Sequence, residues 1–359
     1  MLRLSYMDQN HAPLYFFAYY FTRIDMKKII TLMAAALWAC TTLSAAETKP
    51  TLTIYTYDSF AASWGPAPKI KEAFEKENNC TLKFVPSSSA IGSLRKIQME
   101  GSKTKADILL GLDTSIAQTA KETGLFGRHG VDTSRASLPT EWSDDSFVPF
   151  DYSYFAFVYD SNRTHKVPTS FDELAAMPED FKIIIQDPRS STPGLGLLLW
   201  IKSIYGDKAA DYWKSLSPHI LTITKGWSEA YGLFLKGEAD MVLSYTTSPA
   251  YHIIAEKKTN YLSASFKEGH YGQIEVAAML KSSRHKALAQ KFLQFMLSDT
   301  FQDIIPTTNW TYPAVKTPKG LPEGFLTLQL PSKMILMDGK TVEANRNSTI
   351  NEWLKAVAK

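Results

Sequence analysis

The spacing of hydrophobic positions changes repeatedly along the chain, from short apolar runs typical of buried strands to the spacing of amphipathic helices. Residues 51–57 (TLTIYTY) and 106–112 (ADILLGL) have strand composition, whereas residues 66–78 and 113–124 carry their apolar residues on one helical face. The same alternation returns after residue 181. This pattern predicts an α/β protein whose parallel sheets are covered by helices on both faces.

Two segments are longer than the strands around them. Residues 147–160 (FVPFDYSYFAFVYD) and 269–280 (GHYGQIEVAAML) are extended runs, long enough to pass from one lobe of a protein to another. Ligands of open α/β sheets bind beyond the carboxyl ends of the strands, so two facing sheets would enclose a cleft. The predicted organisation is lobe 1 at 47–146 and 275–359, lobe 2 at 151–270, and hinges near 147–150 and 271–274.

The beginning of the chain predicts export. Residues 26–46 place Lys27 and Lys28 before an apolar run that ends in small residues, which is typical of a secretory signal peptide and predicts a periplasmic protein. Residues 1–25 do not fit a signal and are interpreted as an upstream extension. An alternative is a lipoprotein box that would anchor the protein through Cys40.

The charge balance gives no support to a nucleic-acid or anionic-membrane partner. The whole chain has 39 basic and 36 acidic residues, and residues 1–46 contain four and two of them, which leaves 35 against 34. Beyond that segment Cys80 is the one cysteine, so no internal disulfide and no cysteine metal cluster are expected. The histidines show no metal-binding spacing.

Two segments repeat one arrangement, in which a strand, a hydroxyl-rich loop and a helix opening on Ser/Thr-Pro follow each other. They are residues 181–200 (FKIIIQDPRSSTPGLGLLLW) and 239–254 (ADMVLSYTTSPAYHII). Thr192 and Ser248 are the predicted N-caps, each followed by proline at the first helical position. Such openings present free N–H groups to an anion. Trp227 lies between them, so the pattern predicts a small organic ligand with an anionic part.

Several motifs together identify a family. TIYTYDSFAASWGP, ADILLGLD, QDPRSSTPGLGLLLW, TKGWSEAYGLFLKGEADMVLSYTTSPAYH and NWTYP closely resemble the periplasmic thiamine-binding proteins of bacterial thiamine ABC transporters. The resemblance covers nearly the whole chain after the signal segment. It implies a type II periplasmic-binding-protein fold with two lobes, hinge strands and a ligand cleft. It also implies a monomer without a cofactor that binds thiamine, thiamine monophosphate or thiamine diphosphate and delivers it to a membrane permease driven by a cytoplasmic ATPase.

The resemblance assigns site residues position by position. At one site the chain differs from the enteric members of the family. Ser89 and Ala90 occupy the positions of an acid-glycine pair in those proteins, so the cleft lacks that carboxylate. The residues matched to ligand contacts or to aromatics lining the site are Ser191, Thr192, Trp227, Tyr245, Thr246, Thr247, Ser248, Tyr57, Trp64 and Tyr251.

The chemistry of thiamine suits these residue types. Its thiazolium ring is permanently cationic, and aromatic faces attract such a cation by roughly 0.5–2 kcal/mol per good contact. The phosphate of an ester requires N–H and O–H donors, which the Ser/Thr-Pro helix openings supply.

Two other functions are weighed against transport. A thiaminase-like enzyme of related fold would need a cysteine nucleophile, but Cys80 precedes its strand and should lie at the wrong end of it. The sequence has no G-x-S-x-G, Walker or H-E-x-x-H motif. An iron(III)-binding transport protein of the same fold would use adjacent tyrosines, whereas Tyr245 is followed by Thr246.

Overall fold

The structure, a computed structural model, describes residues 49–358. The predicted upstream extension (1–25), signal peptide (26–46) and alternative lipid anchor at Cys40 all lie outside the described residues. Within the described part, no helix combines the length and the hydrophobicity that crossing a membrane requires.

Strands and helices alternate as the sequence pattern predicts, with short irregular helices between them. The strands are β1 (Thr51–Tyr57), β2 (Thr81–Ser87), β3 (Ile108–Asp113), β4 (Phe147–Asp160), β5 (Ile183–Gln186), β6 (Ile220–Thr224), β7 (Met241–Tyr245), β8 (Tyr261–Ser263), β9 (His270–Met279), β10 (Tyr312–Pro313) and β11 (Met334–Ile335). The α-helices are α1 (Asp58–Ala61), α2 (Ala67–Asn78), α3 (Ala90–Glu100), α4 (Thr114–Glu122), α5 (Phe171–Ala175), α6 (Thr192–Tyr205), α7 (Ala209–Leu216), α8 (Trp227–Leu235), α9 (Ser248–Tyr251), α10 (Lys286–Phe295), α11 (Asp299–Gln302), α12 (Glu323–Leu326) and α13 (Gly339–Val357). A π-helical turn, His252–Glu256, follows α9.

The strands pair in the order β2-β1-β3-β9-β4-β7-β5-β6. The pairs among β1, β2 and β3 are parallel, and so are those among β5, β6 and β7. Strands β9 and β4 run antiparallel to each other and to β3 and β7, and they join the two parallel groups. We call the side with β1, β2, β3 and β9 lobe 1, and the side with β5, β6 and β7 lobe 2.

Strand β4 passes from one lobe to the other. Its residues 147–154 pair with β9, and its residues 155–159 pair with β7. The long aromatic run predicted from the sequence is therefore one continuous strand shared by both sheets. The exact lobe and hinge boundaries given above stay a prediction.

Helix α6 is hydrophobic on all sides because it packs between the sheet of lobe 2 and neighbouring helices. Its residues 192–201 are all buried. The indole of Trp200 packs edge-on against Phe171 with ring centroids 4.7 Å apart, and its Nε1 donates a hydrogen bond to the Gly269 carbonyl at 3.1 Å. This contact ties α6 to the residue that precedes β9.

The last helix, α13, contacts both lobes. Glu343 accepts a hydrogen bond from Thr119 of α4, which follows β3 in lobe 1. Further along, Glu352 pairs with Lys202 of α6 at 3.0 Å, and Trp353 packs edge-on against Trp213 of α7. One helix therefore rests on both halves of the molecule.

The predicted N-caps are each wrong by one residue. Ser191, not Thr192, caps α6 with extended backbone, and Thr247, not Ser248, precedes α9. Proline therefore occupies the second helical position, which is tolerated because the first N–H groups of a helix have no intrahelical acceptor. Helix α8 begins at Trp227, directly after Gly226 in extended backbone.

Two helical glycines predict opposite responses to alanine. A Cβ at Gly194 would lie 2.4 Å from the Gln186 carbonyl oxygen, whereas one at Gly232 in α8 would meet nothing within 4 Å. Gly194→Ala should therefore lower the free energy of unfolding by about 1–3 kcal/mol, as overpacking does. Gly232→Ala should raise it by up to about 1 kcal/mol through helix propensity. Denaturant unfolding of both variants checks the pair, and a stabilising Gly194→Ala would contradict the close packing of α6 on β5.

Candidate functional site

A cavity of about 520 Å³ lies between the lobes, where the ends of β1 and β7 meet β9. The first turns of α3, α6, α8 and α9 also reach it. Its lining residues are Tyr57, Asp58, Ser59, Trp64, Ser88, Ser89, Ala90, Ser191, Thr192, Pro193, Trp227, Ser228, Tyr231, Gly232, Leu235, Tyr245, Ser248, Tyr251, Ala255, Gln273, Glu275, Thr308, Asn309, Trp310 and Thr311.

Ten of the twelve residues predicted to bind ligand are brought together in this wall. They are Tyr57, Trp64, Ser89, Ala90, Ser191, Thr192, Trp227, Tyr245, Ser248 and Tyr251. Thr246 and Thr247 are buried but do not line the cavity. The Thr246 N–H donates to the Tyr154 carbonyl at 2.9 Å, and the hydroxyls of Thr247 and Ser153 share a hydrogen bond at 3.0 Å. These two threonines attach the loop after β7 to β4. A ligand-binding role for all twelve stays a prediction.

Aromatic rings form one wall of the cavity. Trp227 stacks on Tyr231 with centroids 4.9 Å apart, and Tyr251 meets Trp310 edge-on at 5.2 Å. Trp64 is 55% exposed, at the opening of the cavity. Flat rings in this number suit a ligand that is itself flat and aromatic.

The indole of Trp227 is held by a chain of hydroxyls. Its Nε1 donates to the Ser244 hydroxyl at 2.8 Å, and that oxygen lies 2.8 Å from the Ser248 hydroxyl. Ser248 also accepts from the Tyr245 N–H at 3.2 Å. The ring plane is therefore fixed by β7 and α9 before any ligand arrives.

A buried histidine supports the rings behind Trp227. His252 Nδ1 lies 2.9 Å from a Glu256 oxygen, and its Nε2 lies 2.8 Å from the Tyr231 hydroxyl. Burial lowers the pKa of His252, so the neutral ring donates from Nδ1 to Glu256 and accepts at Nε2 from Tyr231. Glu256 also accepts from the Tyr251 hydroxyl at 3.2 Å, so one network orients two rings of the wall.

Hydroxyls and helix beginnings form another part of the wall. Ser191 is 1% exposed, and its hydroxyl has no hydrogen-bond partner within the described part of the chain. Ser89 caps α3 by accepting from the Gly92 N–H at 3.0 Å. Since α3 and α6 both begin here, their free N–H groups and positive ends favour an anion at this wall.

Acidic side chains form the floor. Glu275 accepts at Oε2 from the Tyr57 hydroxyl at 2.8 Å and from the Asn309 amide at 3.2 Å. The same amide donates to Asp151 at 2.6 Å, and Thr311 donates to that Asp151 oxygen at 2.8 Å. Burial raises the pKa of Asp151 to about 7, and burial together with Asp151 raises the pKa of Glu275 well above its usual range.

The two lobes touch at the edge of the cavity. The Ser228 hydroxyl of α8 donates to Asp58 at 3.1 Å, and the Ser89 hydroxyl donates to the Ser190 carbonyl. A Cβ at Gly226 would lie 2.6 Å from the Ser88 carbonyl oxygen, so only glycine permits this approach. The described arrangement is therefore one in which the cleft is shut.

The sequence pattern gave no indication that residues 308–311 would line the cavity. Residues 308–311 all line it, and Trp310 has a backbone φ of 60°, uncommon for a bulky residue and typical of functional sites. Residues 309–311 belong to the motif NWTYP, which supported the family resemblance but received no role. Its left-handed backbone is what turns the Trp310 ring toward Tyr251.

These features define a class of protein that encloses a small solute between two lobes. A family model described as bacterial extracellular solute-binding protein matches residues 61–303, and the chain belongs to that family.

Among its relatives is the thiamine-binding periplasmic protein of Escherichia coli (strain K12), 53% identical over 311 residues, which are 87% of this chain and 94% of that protein. The protein of the same name in Brucella suis biovar 1 (strain 1330) is 50% identical over 333 residues, 92% of this chain and 100% of its own length. The predicted family is thereby confirmed.

The solved structures confirm the predicted type II fold. A periplasmic thiamin binding protein, 52% identical, matches with a TM-score of 0.85 over 88% of this chain and 98% of its own. Apo ferric ion-binding protein A from Pasteurella haemolytica, 16% identical, shares the fold with a TM-score of 0.67 over 85% of this chain and 97% of its own.

Proposed function

We propose that the protein captures thiamine and its phosphate esters in the cavity and delivers them to an ABC importer. The observation that carries this proposal is that three chemically different groups of residues line one cavity. Aromatic rings line one side, hydroxyls and helix beginnings line another, and among the described residues the charged groups lining it are the acids Asp58 and Glu275. A cation with flat rings and an anionic tail complements all three.

The aromatic wall would hold the ring system. Trp227 already stacks on Tyr231 through one face, so the aminopyrimidine or the thiazolium would stack on the other face. Tyr57 and Trp64 from lobe 1 would enclose the rings from the opposite side. Cation–π attraction and exclusion of water by both lobes favour the thiazolium over a neutral ring.

The hydroxyl wall would hold the phosphate. Ser191, Thr192 and Ser89 lie at the beginnings of α3 and α6, where N–H groups and hydroxyls together replace the water around an anion. The cavity wall within the described residues contributes no Lys or Arg. The phosphate would therefore be bound by neutral hydroxyl and N–H donors.

Binding and delivery are favoured over catalysis. Cys80, the nucleophile that a thiaminase would need, is 2% exposed in the core around α2 and does not line the cavity. The relatives are named periplasmic binding proteins.

We infer that residues 26–46 direct export of this protein and are then cleaved off. The protein acts in the periplasm as a monomer and hands its ligand to an inner-membrane permease with a cytoplasmic ATPase. Iron(III) is not favoured, because the iron-binding relatives would use adjacent tyrosines and Tyr245 is followed by Thr246.

Native mass spectrometry of protein purified without refolding tests the proposal. We expect one retained molecule whose mass is that of thiamine or one of its phosphates, since a shut cavity releases its ligand slowly. Incubation with thiamine and a thiol nucleophile should leave the thiamine intact. Consumption of thiamine would indicate the enzyme, and retained iron would indicate the metal carrier.

A further inference from the structure

Three carboxyl side chains lie in one row across the sheet at the floor of the cavity. In the antiparallel pairing, Glu275 of β9 is the direct partner of Asp113 at the end of β3 and of Asp151 in β4. Like charges placed directly opposite each other destabilise a sheet. Glu275 is 4% exposed, Asp113 1% and Asp151 0%, so little water screens them.

The surroundings of this row supply no positive charge. Across residues 49–358, none of the ion pairs involves Asp113, Asp151 or Glu275. The titratable groups that face Glu275 from the packed elements are Tyr57 of β1, Asp113 of β3, Asp151 of β4 and Tyr245 of β7. All of them are neutral or negative, so the row cannot be fully ionised without a cation from outside.

Glu275 is the member of the row that reaches the cavity. It lines the wall together with Tyr57 and Asn309, both of which donate to it, while Asp151 and Asp113 lie behind the wall. The Asn309 amide also bonds Asp151, so the two carboxyl groups share one donor. A charge placed in the cavity therefore acts first on Glu275 and through it on Asp151.

We propose that the Glu275–Asp151 pair is the counter-charge of the cavity: it holds one proton until a cationic ligand enters, and then releases that proton to the solvent. This inference rests on the proposed function, because thiamine supplies the cation. It makes Glu275 the residue that distinguishes a charged ring from a neutral ring of the same shape. Because one cation enters as one proton leaves, the net charge of the cavity stays nearly unchanged.

The sign of the pH dependence follows from the proton that is released. A cation favours the ionised pair, so the pair has a lower pKa in the complex than in the free protein. Thiamine affinity should therefore rise with pH between these two values and level off above the higher one. Burial raises the pKa of Asp151, and burial together with Asp151 raises that of Glu275, so the change lies above the pH range in which exposed carboxyl groups titrate.

Calorimetry with plain thiamine tests the inference, because plain thiamine carries no titrating phosphate. Titrations in two buffers of different ionisation enthalpy, between about pH 6 and pH 8, count the protons exchanged. The wild-type protein should release close to one proton per thiamine at the pH where release is greatest. A binding heat that is independent of buffer at every pH, with thiamine bound tightly, would overturn the inference.

Glu275→Gln keeps the shape of the side chain and removes its charge. The variant should lose the proton release and bind thiamine about tenfold or more weakly, since one opposite charge shifts a carboxyl pKa by one to three units. Its affinity for 3-deazathiamine, a neutral isostere in which carbon replaces the quaternary nitrogen, should change by less than about threefold. Equal losses for both ligands would show that Glu275 serves only to pack the floor.

Glu100→Gln is the matched control. Glu100 accepts a hydrogen bond at 2.9 Å from Tyr55, another tyrosine of β1, but it does not line the cavity. This variant should release the proton as the wild type does.

If the wild-type protein binds no thiamine, the proposed function itself fails, an outcome distinct from tight binding without proton release. If Glu275→Gln does not fold, the buffer series on the wild type alone still decides.

Discussion

Replacing Trp227 by alanine is expected to weaken thiamine binding by about 2–4 kcal/mol, as the loss of a buried aromatic anchor does in other binding sites. The indole is stacked on Tyr231 and fixed by its hydrogen bond to Ser244, so it offers one ring face at almost no entropic cost. Alanine would remove that face and admit water against the ligand. Isothermal titration calorimetry measures the change.

Two variants separate the contributions of the indole. Trp227→Phe keeps a ring but loses the hydrogen bond to Ser244, so its affinity should fall between those of the wild type and Trp227→Ala. Trp142→Phe replaces a tryptophan that does not line the cavity and should bind as the wild type does. Unchanged thiamine binding by Trp227→Ala would assign that indole to ordinary packing and remove the aromatic wall from the proposed function.

A double substitution, Ser191→Ala with Thr192→Ala, should weaken thiamine phosphates far more than plain thiamine. A hydrogen bond to a charged group contributes about 1.5–3 kcal/mol, and the Ser191 hydroxyl has no partner among the described residues that would compete with a phosphate. Plain thiamine should lose much less, because its rings contact the other wall. Competition binding with thiamine, the monophosphate and the diphosphate gives the three ratios.

Ser203→Ala is the control for this pair. Ser203 lies on the same helix, α6, but its hydroxyl donates to the Leu199 carbonyl, away from the cavity. It should leave all three affinities unchanged. A double variant that weakens the three ligands equally would show that Ser191 and Thr192 only shape the beginning of α6.

Local patterns predicted the elements well because their causes are local. Strand β4 has the bounds of the aromatic run 147–160, since a long β-rich segment has few other conformations that bury it. Asp113, the first residue of the helical pattern predicted over 113–124, caps α4 by accepting from the Ser115 N–H. The caps of α6 and α9 were misplaced by one residue because proline is accepted at either of the first two helical positions.

The floor of the cavity could not be predicted from local patterns. Glu275 lies in β9, a buried strand that also contains His270 and Gln273, and Asn309 lies in a loop, so nothing local marks either residue. Their meeting with Asp151 depends on the register between β9 and β4, which is set by tertiary packing. Thr246 and Thr247 were matched to ligand contacts through the family resemblance. Their hydrogen bonds hold them against β4, which no local signal in the loop indicated, and their ligand-binding role stays a prediction.

The attachment of α13 to both lobes constrains how far the cleft can open. A single straight helix cannot follow two bodies that rotate apart, so its contacts with one of them must break. The end near Trp353 is held by buried rings and by the Lys202–Glu352 pair, whereas Glu343 is held to α4 by a hydrogen bond from Thr119. Opening of the cleft should therefore break the contacts of the helix with one lobe. The strength of the contacts that break then sets part of the equilibrium between the empty and the loaded form, at a distance from every atom that touches the ligand.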